Sequence, residues 1–258
     1  MKLKIFIFAV LIQSLAFTGE IKAVIFDCDG TLIDNGNGFF LTWEYALRRQ
    51  GYELSPEQFW KFMNVNGLVG SAKADDMIAN YYNELLGCDC KKQLLEDKKG
   101  YGAQLRLKYE FPPIEPTVNF LRHLAKEKES LGLKLGLASG GPKTHILRVL
   151  TRFNLDQCFD VIVSGTDDLA HYNDGEGTNK PKPYIYQHAA QLLGIAPEEC
   201  VAIEDSHVGV SSAVNAKCIT VAVPNACTMG EDLSQAHLKI VSFEGITPVD
   251  FLQIINQK

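Results

Sequence analysis

Five short apolar runs constrain this chain more than any other feature. They lie at 23–26 (Ala-Val-Ile-Phe), 133–138, 161–163, 200–203 (Cys-Val-Ala-Ile) and 219–223, and none exceeds six residues. Val- and Ile-rich runs without polar alternation read as strands buried on both faces, as in a parallel sheet. Helical patterns at 117–127, 142–152, 183–193 and 208–216 separate the later runs, and a last strand is expected near 238–241. Such alternation predicts an α/β fold, a parallel sheet with helices on both faces. Ligands of these sheets bind beyond the carboxyl ends of the strands.

The segment between the first two runs is different. No strand pattern occurs from 36 to 110. Asn35-Gly36-Asn37-Gly38 reads as a hinge, and Phe39, Phe40, Trp43, Ala46 and Leu47 then recur at helical spacing. Ser55-Pro56-Glu57-Gln58 has a serine N-cap with proline at the first helical position. Further helices are expected at 74–86 and 94–109, and the proline-rich stretch 111–116 ends the insert. The expected organisation is a discontinuous core, 21–34 plus 111–258, interrupted by a helical unit at 35–110.

Residues 1–16 combine a basic start, an apolar run and Ser14-Leu15-Ala16. This reads as a signal peptide and predicts export to a periplasm or medium. The alternative is an extra N-terminal strand or helix, with a cytoplasmic protein. The run is too short for a stable membrane span. The formal net charge of -6 disfavours a nucleic-acid partner. The seven cysteines form no Cys-x-x-Cys pair, which disfavours structural zinc. In an exported protein, Cys88 or Cys90 is a candidate for a disulfide with a partner the sequence does not name.

Polar residues at the strand ends carry the chemistry. The first run ends in Asp27 and Asp29, the second in Ser139, and the fourth in Glu204 and Asp205. Lys180 precedes the helix at 183–193. Parallel neighbours would gather these groups on one edge. Converging carboxylates repel unless a cation lies among them, and hard oxygen donors suit Mg2+. A lysine and a serine beside them suggest a bound phosphoryl group.

Here the chain resembles a known family. Asp27-Cys28-Asp29-Gly30-Thr31-Leu32, Ala138-Ser139-Gly140, Lys180-Pro181-Lys182-Pro183-Tyr184-Ile185-Tyr186 and Ile203-Glu204-Asp205-Ser206 resemble, in order, the motifs of the haloacid dehalogenase superfamily. The helical insert resembles the cap of the subgroup with phosphoglycolate phosphatase and β-phosphoglucomutase. The resemblance implies a Rossmann-like core with an inserted α-helical cap domain, acting on a small phosphorylated substrate. It implies that Asp27 is the nucleophile and Asp29 the general acid and base. Ser139, Gly140 and Lys180 would bind phosphate, with Thr31 in support. Asp27, the Asp29 carbonyl and Asp205 would hold Mg2+, with Glu204 acting directly or through water.

Departures bear on the activity. The mutase subgroup carries a histidine four residues before its cap tryptophan, where this chain has Phe39. That favours a phosphatase, with a phosphomutase or a silent phosphate- or metal-binding module as alternatives. Asp29 disfavours dehalogenation, which needs no acid for an oxygen leaving group. Lys182 competes with Lys180, and the Lys-Pro-x-Pro register favours Lys180. Lys73 in the cap reads either as a ligand for a second anionic group or as a solvated lysine. Asp75, Asp76, Asp167 and Asp168 read as solvated helix or loop ends, Asp34 as a turn residue and His207 as a helix start. The loop with Asp174 and Glu176 reads as ordinary surface, with a gate over the site as the alternative.

Overall fold

Each apolar run becomes a strand, and β2 (Ala23–Phe26) shows why. All four of its residues are buried. Val24 and Phe26 enter one hydrophobic layer, while Ala23 and Ile25 enter another on the opposite face. Full burial of a side chain such as Phe26 contributes roughly 1.5–3 kcal/mol. No polar residue in the run would survive that environment on either side.

The structure, a computed structural model, describes residues 10–11, 20–71, 73–108 and 111–256. Five more strands join β2 in parallel: β3 (Lys134–Ser139), β4 (Val161–Ser164), β5 (Cys200–Glu204), β6 (Ile219–Ala222) and β7 (Leu238–Lys239). With β1 (Val10–Leu11), the sheet order is β1-β7-β6-β5-β2-β3-β4. β2 is therefore flanked by β5 and β3, with Phe26 opposite both Ile203 and Leu137. That register places the first residues beyond these strands side by side.

Of the segment 1–16, read above as a signal peptide, only Val10–Leu11 are described. They pair antiparallel with β7, as an added N-terminal strand would. The rest of the segment lies outside the described residues, and the expectation of export finds no support among those that are described. No described helix is long and apolar enough to cross a membrane.

Helices cover both faces of the sheet. α5 (Glu115–Glu127), α6 (Lys143–Arg152) and α9 (Pro248–Asn256) pack on the Val24/Phe26 face. There Phe120 stacks on Phe243 at 4.2 Å and meets Phe251 edge-on at 5.1 Å. α7 (Tyr184–Leu193) and α8 (His207–Asn215) cover the other face. α9 lies beyond the last element expected from the sequence.

Between β2 and α5 stand α1 (Gly36–Arg48), α2 (Pro56–Val65), α3 (Ala74–Leu86) and α4 (Lys91–Lys108), which bury their own core around Trp43, Phe59, Met63 and Ile78. Ser55 caps α2 by accepting the Gln58 N–H at 3.4 Å. The hinge read at 35–38 is corrected, because α1 already begins at Gly36. Its glycines serve close packing: a Cβ at Gly36 would lie 2.3 Å from Cys227 Sγ, and one at Gly38 2.2 Å from the Phe111 ring. Cys88 and Cys90 are bonded to each other in the α3–α4 turn.

Candidate active site

The site begins where β2 ends. The Asp27 N–H donates to the Ile203 carbonyl at 3.0 Å, which carries the sheet register one residue past the strand. The chain then doubles back, with the N–H groups of Leu32 and Ile33 both donating to the Cys28 carbonyl. Gly30, at φ 93°, makes this turn. A Cβ there would also lie 2.3 Å from Asp205 Oδ2. Asn225, beyond β6, ties the turn to β5 by donating to the Gly30 carbonyl at 2.9 Å and to Asp205 Oδ2 at 2.8 Å.

Lys180 is the hub. Its ammonium donates to Asp27 Oδ1 and Glu204 Oε1, both at 2.6 Å, and to the Ala138 carbonyl at 3.2 Å. Three donors thus meet three acceptors, and Nζ sits 5.2 Å from the centre of the Tyr186 ring. Glu204 Oε1 also accepts the Tyr186 hydroxyl at 2.6 Å, and Oε2 accepts the Asp205 N–H at 3.2 Å. α8 leaves room for this carboxylate only because residue 209 is glycine: a Cβ there would lie 1.9 Å from Glu204 Oε2.

The buried charges determine the protonation behaviour. Burial pushes the Asp27 carboxyl up to about 7; Lys180 opposes this, while the charges of Glu204 and Asp29 add to it. Burial likewise raises Asp205 well above the carboxylate range, with Asp27 and Glu204 adding to it. Burial favours a neutral Lys180, but Asp27 and Glu204 outweigh it and hold the ammonium above its ordinary value.

These residues fit a divalent cation. Ligand atoms of Asp27, Glu204 and Asp205 all lie within 4.8 Å of one another. One ammonium faces three carboxylates, and the buried Asp27 Oδ2 has no hydrogen-bond partner. Hard oxygen donors of this kind match Mg2+. Glu204 has both oxygens engaged by hydrogen bonds, whereas Asp27 keeps Oδ2 without a partner.

Asp27, Asp29, Gly140, Lys180 and Asp205 line one cavity of about 540 Å³ between the core and the helical insert. Ser139, Glu204 and Thr31 stand behind its wall, 0%, 0% and 2% exposed. Ser139 Oγ donates to Asp29 Oδ2 at 3.4 Å and accepts the Gly141 N–H at 3.3 Å. Thr31 Oγ1 has no partner. Lys182 turns outward to Asp174 and Glu176, both at 3.0 Å, so the lysine that enters is Lys180.

The opposite wall belongs to the insert. Phe39, Trp60 and Met63 supply its apolar part, with Asp75 and Lys98 beside them. Lys73 is exposed and does not line the cavity. Asp75 and Asp168 are not merely solvated ends, since they pair with Lys98 at 2.6 Å and Lys143 at 2.7 Å. His207 does open α8, as expected. Sequence reasoning missed Asn225, Gly209 and Lys98. For Asn225 a signal existed: it follows the run at 219–223, whose polar end drew no notice.

Comparison with known proteins agrees with this geometry. A family model described as haloacid dehalogenase-like hydrolase matches residues 21–217. A phosphorylated carbohydrates phosphatase of Thermotoga maritima is 29% identical over 201 residues, covering 76% of this chain and 81% of that protein. A β-phosphoglucomutase of Bacillus subtilis is 28% identical over 215 residues, covering 82% and 88%. Among solved structures, a haloacid dehalogenase-like protein from Agrobacterium tumefaciens superposes with a TM-score of 0.71 over 91% of this chain and 99% of that one, at 21% identity.

Proposed function

We propose that this chain, which belongs to the haloacid dehalogenase-like hydrolases, removes the phosphoryl group from a small phosphorylated carbohydrate. The observation that carries this reading is Asp27. One of its oxygens is held by Lys180 at 2.6 Å, and the other is buried without a partner beside the cavity that also holds Asp29. A carboxylate so placed is oriented for in-line attack. Asp27 attacks phosphorus, an Asp27 O–P bond forms and the ester P–O bond breaks. Asp29 gives a proton to the leaving alkoxide. It then takes a proton from the water that attacks the aspartyl-phosphate, which releases phosphate and restores Asp27. Ser139, bonded to Asp29 and Gly141, steadies the acid and the loop carrying Gly140. Mg2+, bound by Asp27 and Asp205, would neutralise charge on the transferring group. Lys180 supplies a fixed positive charge on the other side of Asp27.

The unit at 35–110 acts as a cap over the core segments 21–34 and 111–258, limiting water during transfer. Phe39, where the mutase subgroup carries a histidine, puts an apolar ring in the cavity wall. This supports hydrolysis over phosphomutation, as does the carbohydrate phosphatase among the similar proteins. Phosphate release from p-nitrophenyl phosphate and a panel of sugar phosphates tests the proposal. Asp27→Asn and EDTA should each reduce release to background. Sugar phosphate interconversion without net phosphate would indicate a mutase, and binding without turnover a silent module.

A further inference from the structure

One buried carboxylate takes no part in the transfer chemistry. Glu231 is 6% exposed and lies on the loop beyond β6 that also carries Asn225. Its Oε2 accepts the N–H of His207, the first residue of α8, at 2.7 Å. A helix start leaves that N–H without an intrahelical partner, and a carboxylate suits the positive end of a helix. His207 Nδ1 donates to the Asp232 carbonyl at 2.7 Å, so two consecutive loop residues fix the start of α8, just after Asp205. The Glu231 carboxylate also faces the helical insert. Burial raises its pKa, and the N–H groups of His207 and Val69 oppose the rise; Val69 belongs to the turn between α2 and α3. Glu231 Oε1 is buried without a hydrogen-bond partner. Around it the insert and the core meet closely. A Cβ at Gly70 would lie 3.1 Å from Val208 Cγ2 and 3.3 Å from Ser206 Oγ, and one at Gly230 3.2 Å from Asn64 Nδ2. Val69, Gly70, Ser206 and Val208 line the cavity, so this seam is part of its wall.

We propose that Glu231 is a positioning residue on which the helical insert seats: Oε2 holds the start of α8, and Oε1 is the acceptor kept for the Val69 N–H. The consequence for turnover rests on the phosphatase reading; the contact itself does not. A carboxylate can serve both N–H groups because it has two oxygens and no donor of its own. Hydrogen bonds to an ionised acceptor are the stronger kind. With the insert seated on Ser206 and Val208, the cavity wall is sealed beside Asp205, and a parted seam would admit water there. Until Val69 engages it, Oε1 is an orphan acceptor, which disfavours the half-seated arrangement and drives the insert either home or open to water. The seam therefore holds the insert during transfer and can part for product to leave. Asn225 and Glu231 share one loop, so the turn at Gly30 and the seat of the insert depend on the same segment.

The test is amide exchange at Val69, read by NMR. Leu68 is the internal reference, because its N–H bonds within the insert to the Met63 carbonyl at 2.9 Å. In the wild-type protein Val69 should exchange at least about tenfold more slowly than an unstructured amide. Glu231→Gln keeps the shape but offers one acceptor to two N–H groups. It should speed exchange at Val69 by about tenfold relative to Leu68, the effect of losing one charge-assisted hydrogen bond. It should also lower kcat/KM for p-nitrophenyl phosphate by about tenfold. Asp232→Asn, exposed on the same loop, should keep wild-type values of both. A role confined to capping α8 would lower stability without separating Val69 from Leu68, and that result overturns the proposal. Faster Val69 exchange with unchanged kcat/KM overturns it too, since the seat would then not serve the reaction. Should Glu231→Gln fail to fold, an unprotected Val69 in the wild-type protein overturns the proposal and a protected one supports it. If the wild-type protein hydrolyses no ester, the phosphatase reading falls and exchange alone decides the contact.

Discussion

Lys180 and Lys98 face one cavity from opposite sides. The Lys180 side chain is 9% exposed and bonds two buried carboxylates and a carbonyl. Lys98 is 17% exposed and pairs with one half-exposed carboxylate over an aromatic ring. At the floor, burial makes every partner obligatory, because an unpaired charge there has no water to turn to. At the roof, water can replace a lost partner. The floor can therefore hold its groups in one geometry, while the roof can change its residues without endangering the fold.

The sharpest way to break this contrast is to remove the floor lysine. Lys180→Met leaves Asp27 and Glu204 buried without their cation and should destabilise the protein by about 3–5 kcal/mol. Denaturant unfolding at neutral pH measures it, and a loss below about 1 kcal/mol would show that the floor is not interlocked.

A smaller effect concerns pH. In the metal-free protein, burial lifts Asp27 from an ordinary 3.8 to about 7. A carboxyl raised in the folded state stabilises the fold most at low pH, and that contribution is lost as pH rises toward about 7. A divalent cation needs the carboxylate, so binding must displace a proton below that point. Apparent Mg2+ affinity should rise by about tenfold or more per pH unit, or about 1.4 kcal/mol, up to at least about pH 7, since Asp205 is raised as well. Calorimetric titrations across that range check this, and a flat profile from about pH 5 upward would contradict it.

The smallest expected effect is at the roof. Lys98→Gln removes a partly solvated ion pair and should change stability by no more than about 1 kcal/mol. A loss comparable to that of Lys180→Met would erase the distinction between floor and roof.

The floor was also the more legible region. Asp27, Asp29, Glu204 and Asp205 follow apolar runs that announce their strands, so their convergence could be read from pattern alone. Lys180 was separated from Lys182 only by the register of the surrounding prolines. The Asp174 and Glu176 carboxylates, which hold Lys182 outward, show why that register matters. The roof was misread. Lys73 drew attention because it lies near where related enzymes place substrate-binding basic residues, yet it is exposed and does not line the cavity. Lys98 sits in a helix with little apolar patterning and enters the cavity because α4 packs on α1 above Phe39.

By itself, the sequence determined the parallel sheet, the helical insert and the edge where the acids gather. Short buried strands advertise themselves over four to six residues, because both faces must be apolar and only their ends can be charged. Tertiary structure alone decided that Glu204 anchors Lys180 in the space left by Gly209, that Asn225 closes the turn at Gly30, and which lysine of the insert lines the cavity. Those outcomes depend on contacts between residues far apart in the chain and on how each helix is rotated against its neighbour. A helix face becomes functional only once packing has turned it toward the site.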